Sequence, residues 1–179
     1  MYKNEEMKIL VIIPAYNEEK NIKETVERLK ESAASVDYVV INDCSKDRTE
    51  RILKNLGITY ISLPVNLGIG GAVQTGYKYG VENGYDIAIQ MDGDGQHDPK
   101  YLDTLIAPIV SGTADVVIGS RFLKKEGFQS SRSRRIGIRI LGMLVSICCI
   151  QQIKDVTSGF RAVNKEFMQV FAKDYPQDY

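Results

Sequence analysis

Histidine and cysteine are scarce in this sequence, and the chemistry open to it narrows accordingly. There is one histidine, His97, so any mechanism that needs an imidazole base has a single candidate. Three cysteines, two of them adjacent at Cys148 and Cys149, make neither a disulfide framework nor a zinc-ligand spacing. A reducing, cytoplasmic setting follows as the expectation. Excess charge is missing too. The 23 basic and 23 acidic residues cancel, with the signs interspersed, which removes the electrostatic case for a nucleic-acid partner. No uninterrupted apolar run reaches the ~20 residues of a membrane-spanning helix. Residues 136–153 come nearest, broken by Arg139 and by Gln151 and Gln152. The N-terminal stretch Met1–Lys8 carries Glu5 and Glu6 and does not resemble a signal peptide. A chain of 179 residues is expected to form one domain, 1–179, with a real core. Asp174–Tyr179 holds no closing signal, so the chain is read as open to continuation there.

What is present is an alternation of apolar runs and helical patterns. Lys8–Pro14 is a continuous apolar run closed by proline, the signature of a strand buried on both faces. Ile22, Val26, Leu29 and Ala33 recur behind it at helical spacing. Asp37–Asn42 repeats the strand pattern and ends in the polar turn Asn42-Asp43-Cys44-Ser45. Asp47 can cap a helix that buries Ile52, Leu53 and Leu56 and stops at Gly57. Ile58–Leu63 predicts a third strand, and Asn66–Gly71 opens a helix carrying Ala72, Val73, Gly76 and Tyr79. The glycines at 68, 70 and 71 lack dinucleotide-fingerprint spacing and are read as close helix packing on a sheet. Ile87–Ile89 ends a fourth strand; a helix over Pro99–Val110, a strand over Ala114–Gly119, an apolar helix over Ile136–Ile150 and a last helix over Lys165–Ala172 follow. Strands alternating with helices define an α/β fold, a mostly parallel sheet with helices on both faces. In such sheets ligands sit outside the carboxyl ends of the strands. Pro14–Glu18, Asp43 and Asp92–Asp94 all fall at those ends.

The last of these loops, Gln90–Pro99, carries the most chemistry. Asp92 and Asp94 stand two positions apart between glycines that permit a tight, exposed backbone. A hard cation such as Mg2+ or Mn2+ takes oxygen ligands, usually one or two carboxylates plus phosphate oxygens of a substrate. Asp92, Asp94 and the Gln96 amide oxygen can supply the protein's share. An EF-hand loop beginning at Asp92 would want glycine where His97 stands and glutamate where Asp103 stands. A haloacid-type phosphatase would want Thr or Val at Gln96, and an acidic Gly-rich turn without a ligand stays open. His97 can orient Asp94 or a metal-bound water, or serve the turn structurally; Asp98 is expected to cap the helix starting at Pro99. Asp43 can accept ring N–H groups from a nucleobase or simply stabilise its turn.

Taken in order, Pro14-Ala15-Tyr16-Asn17-Glu18-Glu19, Asn42-Asp43-Cys44-Ser45-Lys46-Asp47, Asn66-Leu67-Gly68, Met91–Pro99, Gly119-Ser120-Arg121 and Ser158-Gly159-Phe160-Arg161 run through almost the whole chain. Together they resemble the inverting glycosyltransferases of family two, with the GT-A fold, a nucleotide-diphospho-sugar transferase-like Rossmann variant. The particular likeness is to the branch of dolichyl-phosphate mannose synthase and bacterial polyprenyl-phosphate glycosyltransferases. The resemblance implies a UDP- or GDP-sugar donor bound by Pro14, Tyr16, Asn17, Glu18, Asp43, Asn66, Gly68, Asp92 and Gly93. It implies Mg2+ or Mn2+ at Asp92, Asp94 and Gln96, and it places Asp94, Arg121 and Arg161 at the reacting groups. Arg121 and Arg161 match positions that meet donor or acceptor phosphates, and a guanidinium fork suits phosphate oxygens.

The reaction so implied is in-line displacement at the sugar's anomeric carbon, with the metal stabilising charge on the departing nucleoside diphosphate. A lipid monophosphate acceptor is already ionised near neutral pH and needs no general base; a saccharide hydroxyl acceptor needs one, and Asp155 is a weak candidate. A nucleotidyltransferase would carry glycine and a basic residue directly after the first strand, and Ala15–Glu19 has neither. A sugar-nucleotide-binding module without catalysis is the reading from another class. Residues 136–153 are consistent with an interfacial helix at the cytoplasmic face of a membrane, with Arg132, Arg134, Arg135 and Arg139 facing anionic headgroups. A core or homo-oligomer contact fits that segment equally.

Overall fold

A computed structural model describes residues 7–33, 35–119 and 158–176. The predicted polar loop Lys124–Arg135, the apolar helix Ile136–Ile150, Arg121, Asp155 and the basic residues beside the apolar helix lie outside the described residues. The strands are β1 Ile9–Ala15, β2 Asp37–Asn42, β3 Tyr60–Ser62, β4 Ile87–Gln90, β5 Val116–Ile118 and β6 Arg161–Asn164. The helices are α1 Ile22–Ser32, α2 Thr49–Asn55, α3 Gly68–Glu82, α4 Leu102–Val110 and α5 Lys165–Lys173, with a 3-10 turn at Pro99–Tyr101 leading into α4.

The six strands form one sheet in the order β3-β2-β1-β4-β6-β5. The first four in that row run parallel, and β6 is antiparallel to both β4 and β5. The sequence pattern misses β6 because Arg-Ala-Val-Asn offers only Ala162 and Val163 as buried positions, too few to show a period. Its place in the sheet comes from pairing partners far away in the chain, Ile89 opposite Ala162 and Gln90 opposite Arg161. β1 runs one residue past the expected proline stop, with Pro14 opposite Ile41 and Ala15 opposite Asn42.

Alternation along the strands divides the core into two layers. Val11, Ile13 and Ala15 of β1, with Ile87 and Ile89 of β4, pack under Ile22, Val26 and Leu29 of α1, Leu53 of α2 and Leu102, Leu105 and Ile106 of α4. Leu10 and Ile12 of β1, with Ala88 of β4 and Val163 of β6, pack under Ala72, Val73 and Tyr77 of α3 and Met168 and Ala172 of α5. Both faces of β1 are therefore dry, which explains its unbroken apolar run.

On the second face α3 meets the sheet closely, and glycine makes this feasible. A methyl at Gly76 would run into the branched side chain of Ile12, and one at Gly80 would press on Met168 and Leu10. Gly76 and Gly80 take such a packing role, and Gly70 and Gly71 are buried near the start of α3. Replacing a mid-helix glycine with alanine ordinarily gains about 0.8–1.0 kcal/mol of helix propensity. Overpacking a filled core costs about 1–3 kcal/mol, and the β-branched Ile12 is fully buried with no room to turn aside. Gly76→Ala is expected to lower the denaturant midpoint at unchanged m-value; a raised midpoint would show that α3 lifts off the sheet at no cost.

Candidate functional site

At the carboxyl ends of β1 and β2 two loops are stitched together by one backbone hydrogen bond and several between side chains and backbone. The Asp43 amide donates to the Ala15 carbonyl at 2.9 Å. The Asn17 amide donates to Ser45 Oγ at 3.0 Å, and the Lys46 amide donates to Asn17 Oδ1 at 2.8 Å. The Glu18 amide donates to Thr49 Oγ1 at 2.9 Å and the Glu19 amide to Asp47 Oδ2 at 3.0 Å. Asn17 and Cys44 both hold φ of 57°, a left-handed conformation that costs a non-glycine residue about 1–3 kcal/mol. This crosslinking is what holds them there. Tyr16 remains exposed, Pro14 is buried, and the Glu18 carboxylate accepts from Asn21 Nδ2 at 2.8 Å.

The buried Asp43 joins this pair to the third loop. Its Oδ1 accepts the Leu67 amide at 2.7 Å, and its carbonyl accepts from Asn66 Nδ2 at 3.2 Å. The Asn66 carboxamide oxygen in turn accepts the Gly68 amide at 3.3 Å. One carboxylate oxygen of Asp43 is thus committed to the loop that starts α3. Oδ2 has no hydrogen-bond partner among the described residues.

The loop after β4 is held from three sides. Gly93 lies against the Pro14 carbonyl, 3.0 Å from where a Cβ would sit, so this loop touches the end of β1. From α1, Thr25 Oγ1 donates to the Gly93 carbonyl at 3.2 Å and Arg28 to the Gly95 carbonyl at 3.3 Å. Gly95 takes φ of 76°, where a side chain would be strained. From the other side, both oxygens of Asp92 sit where a side chain on Gly159 would be, so the carboxylate rests on that glycine's backbone. Gln90 Nε2 donates to Asp92 Oδ1 at 3.3 Å. Asp94 Oδ1 accepts the Gln96 amide at 3.0 Å, and Gln96 is exposed. Asp98 caps the turn at Pro99 through the Lys100 amide at 3.2 Å, as expected from its position.

His97 is buried and stacks on Phe160 with ring centroids 5.1 Å apart. Its Nδ1 accepts the Asp92 amide at 3.1 Å. A ring nitrogen that accepts carries no proton, so the 3.9 Å approach of Nδ1 to the Asp92 carboxylate is not an ion pair. His97 therefore fixes the backbone of Asp92, a structural duty within the turn. Arg161 sends one terminal nitrogen to Tyr175 Oη at 3.2 Å and the other to the Ser158 carbonyl at 3.1 Å. Its guanidinium is thus bonded to protein groups.

The structure brings Pro14, Tyr16, Asn17, Glu18, Asp43, Asn66, Gly68, Asp92, Gly93 and Asp94 to neighbouring loops at the strand ends. Thr25, Arg28 and Tyr175 lie outside the sequence motifs, and Gln90 and Gly159 lie within them without a role of their own. Thr25 did carry a signal: it is a buried polar residue on the apolar stripe of α1, with Ile22, Val26 and Leu29. Among the described residues no group of three or more His, Cys, Asp or Glu side chains could hold a metal ion. The donor set on offer is two hard carboxylates, Asp92 and Asp94, which suits Mg2+ or Mn2+ taking its other ligands from phosphate and water.

The mostly parallel sheet with polar loops at its strand ends is the fold the chain shares with solved GT-A glycosyltransferases. The chain belongs to glycosyl transferase family 2, whose pattern matches residues 10–171. It is 32% identical to a UDP-N-acetylglucosamine–dolichyl-phosphate N-acetylglucosaminyltransferase of Methanococcus voltae, over 92% of this chain and 72% of that protein. It is also 32% identical to an undecaprenyl-phosphate mannosyltransferase of Micrococcus luteus, over 94% of this chain and 71% of that one. Among solved structures, glucosyl-3-phosphoglycerate synthase from Mycobacterium tuberculosis, in complex with Mn2+, UDP and phosphoglyceric acid, matches with a TM-score of 0.69 at 22% identity. That match covers 90% of this chain and 57% of that one, so the chain spans little more than half of the solved relative.

Charge in the crosslinked loops sets their response to acid. Burial alone would push the Asp47 carboxyl up. Hydrogen bonds from the Thr49 hydroxyl and amide and the Glu19 amide outweigh it and hold the group below its ordinary value of 3.8. Arg48 likewise holds Glu19 below 4.5, mainly through its hydrogen bonds. A carboxyl held low in the folded state adds stability above its unfolded pKa and loses it as pH falls through the folded one. Wild-type protein is therefore expected to lose stability progressively below about pH 4. Asp47→Asn should be less stable at neutral pH with a shallower acid limb, as read by denaturation at a series of pH values; parallel curves would contradict this.

Proposed function

We propose that this chain catalyses metal-dependent, inverting transfer of a sugar from a UDP- or GDP-sugar to a polyprenyl phosphate. The observation that carries the proposal is the Asp92 carboxylate, seated on Gly159 and held by Gln90, two residues from Asp94 at the end of β4. The names of the relatives, which act on dolichyl and undecaprenyl phosphate, support the acceptor class. The Mn2+ and UDP in the solved relative support the donor class.

In this reading Asp92 and Asp94 hold Mg2+ or Mn2+, which when bound would offset the negative charge that builds on the departing diphosphate. The tied loops of β1 and β2 form the base and ribose side of the crevice, and Asp43 Oδ2 is the acceptor for a ring N–H of uracil or guanine. The acceptor phosphate oxygen attacks the anomeric carbon from the face opposite the diphosphate, so configuration inverts. Being ionised near neutral pH, that oxygen needs no base. His97, spent on the Asp92 amide, is not asked to supply one. Arg121 stays the candidate for the acceptor phosphate. No described helix is long and apolar enough to cross a membrane; the segment 136–153, outside the described residues, is proposed to meet the lipid at the cytoplasmic face.

The test is calorimetric titration with UDP and GDP, with and without Mn2+, followed by incubation of the matching nucleotide sugars with polyprenyl phosphate. One nucleotide should bind in a Mn2+-dependent manner, and Asp92→Asn should weaken it by about tenfold or more, equal to about 1.4 kcal/mol. A glycosylated lipid phosphate should form. Metal-independent binding without turnover would instead favour a sugar-nucleotide-binding module, and transfer only to a saccharide hydroxyl would overturn the acceptor assignment.

A further inference from the structure

Arg161, Tyr175 and Gln90 form a hydrogen-bonded row, half-buried at Arg161 and buried at the other two, that ends on Asp92. Strand alternation puts Gln90 and Arg161, paired across β4 and β6, on the same face of the sheet as α3 and α5. Tyr175, just beyond α5, packs its ring edge to face with Tyr77 and Phe171, at centroid distances of 5.4 Å and 5.2 Å. This puts its hydroxyl between the two side chains. Gln90 is 1% exposed and Tyr175 4%. Arg161 donates to Tyr175 Oη at 3.2 Å; Tyr175 donates to Gln90 Oε1 at 3.5 Å; Gln90 Nε2 donates to Asp92 Oδ1 at 3.3 Å.

The direction of this row is dictated by its first member. A guanidinium has only donors and is always charged. Tyr175 must therefore accept from it and turn its single proton towards Gln90. The Gln90 carboxamide, receiving that proton on its oxygen, must then present its NH2 to Asp92. Had the first member been a carboxylate, the same row would run backwards and show Asp92 an oxygen. Hydrogen bonds in a low-dielectric interior polarise one another, so the cation's influence reaches Asp92 without direct contact.

We propose that Arg161, Tyr175 and Gln90 are positioning residues that lock the Asp92 carboxylate, one oxygen engaged and seated on Gly159, so that it presents a fixed oxygen to a divalent cation bound with a nucleoside diphosphate. The proposal rests on the assignment of Asp92 as a metal ligand made above. It gives Tyr175, beyond the last helix and 85 residues from Gln90, a part in the site that neither strand pattern nor loop motif announces. Groups that orient a metal ligand typically change metal affinity by about 10- to 100-fold when removed.

The experiment measures free Mn2+ by electron paramagnetic resonance as the metal is titrated into protein with UDP or GDP present, against a protein-free titration of the same nucleotide. Wild type, Tyr175→Phe, Gln90→Met and the double variant are compared, and thermal unfolding without metal is followed in parallel. Tyr175→Phe keeps the ring contacts and removes only the hydroxyl. Its Mn2+ affinity should fall by about 10-fold, and that of Gln90→Met by about 10- to 100-fold. The double variant should be no worse than Gln90→Met, because both act through one row. Loss of thermal stability with unchanged Mn2+ affinity in Tyr175→Phe would overturn the proposal and leave the row a packing device. Should Gln90→Met fail to fold, Tyr175→Phe decides the matter alone. Wild-type protein that takes up no Mn2+ with either nucleotide would overturn the metal assignment and this inference together. Uptake by wild type with unaffected variants would overturn this inference only.

Discussion

Because β1 pairs in parallel with β2 on one side and β4 on the other, all three strands must end on the same side of the sheet. Everything polar that follows those ends is thereby delivered to one crevice: Tyr16–Glu18 after β1, Asp43 after β2, Asp92 and Asp94 after β4. The pairing is strong because both faces of β1 are dry, with Leu10 to Ile13 fully buried. Fully burying such a side chain contributes about 1.5–3 kcal/mol. The apolar core thus places the polar site, and slipping β1 by one residue would exchange the two layers that face the helices.

Position alone does not make a site stiff, and here the loops hold one another. Backbone amides of residues 17, 18 and 19 are taken by side chains of residues 45, 49 and 47, and the side chain of Asn17 returns a bond to Lys46. Each such bond nets about 0.5–1.5 kcal/mol, enough in sum to keep Asn17 and Cys44 in their left-handed conformations. Around Asp92 the same logic acts more tightly. His97 takes its amide, Gln90 takes Oδ1, and Gly159 is the only residue type that could leave room for its carboxylate. A group to be reused with each catalytic cycle benefits from being held so, since geometry need not be reorganised when charge develops.

Much of this could be read from the residues themselves. β1, β2 and β4 announce themselves as apolar runs, α1 by its stripe, and the crevice by the positions of Asp43 and Asp92. The resemblance through Asp92–Asp94, Asn66–Gly68 and Ser158–Arg161 is matched by the family assignment over residues 10–171. What escaped was whatever depends on distant partners. β6 is four residues whose pairing lies some seventy positions back, at Ile87–Gln90. Ser158–Arg161 drew attention for its arginine, whereas its glycine is what the Asp92 carboxylate rests on. His97 looked equally suited to chemistry or structure, and only the bond from the Asp92 amide separates the two.

The account stands on the Asp92 carboxylate being a seat for a divalent cation. Anomalous diffraction at the manganese edge, from crystals grown with Mn2+ and whichever of UDP or GDP binds, addresses this without reference to turnover. The result predicted is a single strong peak within about 2.0–2.6 Å of a carboxylate oxygen of Asp92 and of a diphosphate oxygen, the range for hard-cation oxygen ligands. A nucleotide seated in the crevice with no anomalous peak, or with the peak on other residues while Asp92 keeps its place on Gly159, would contradict it.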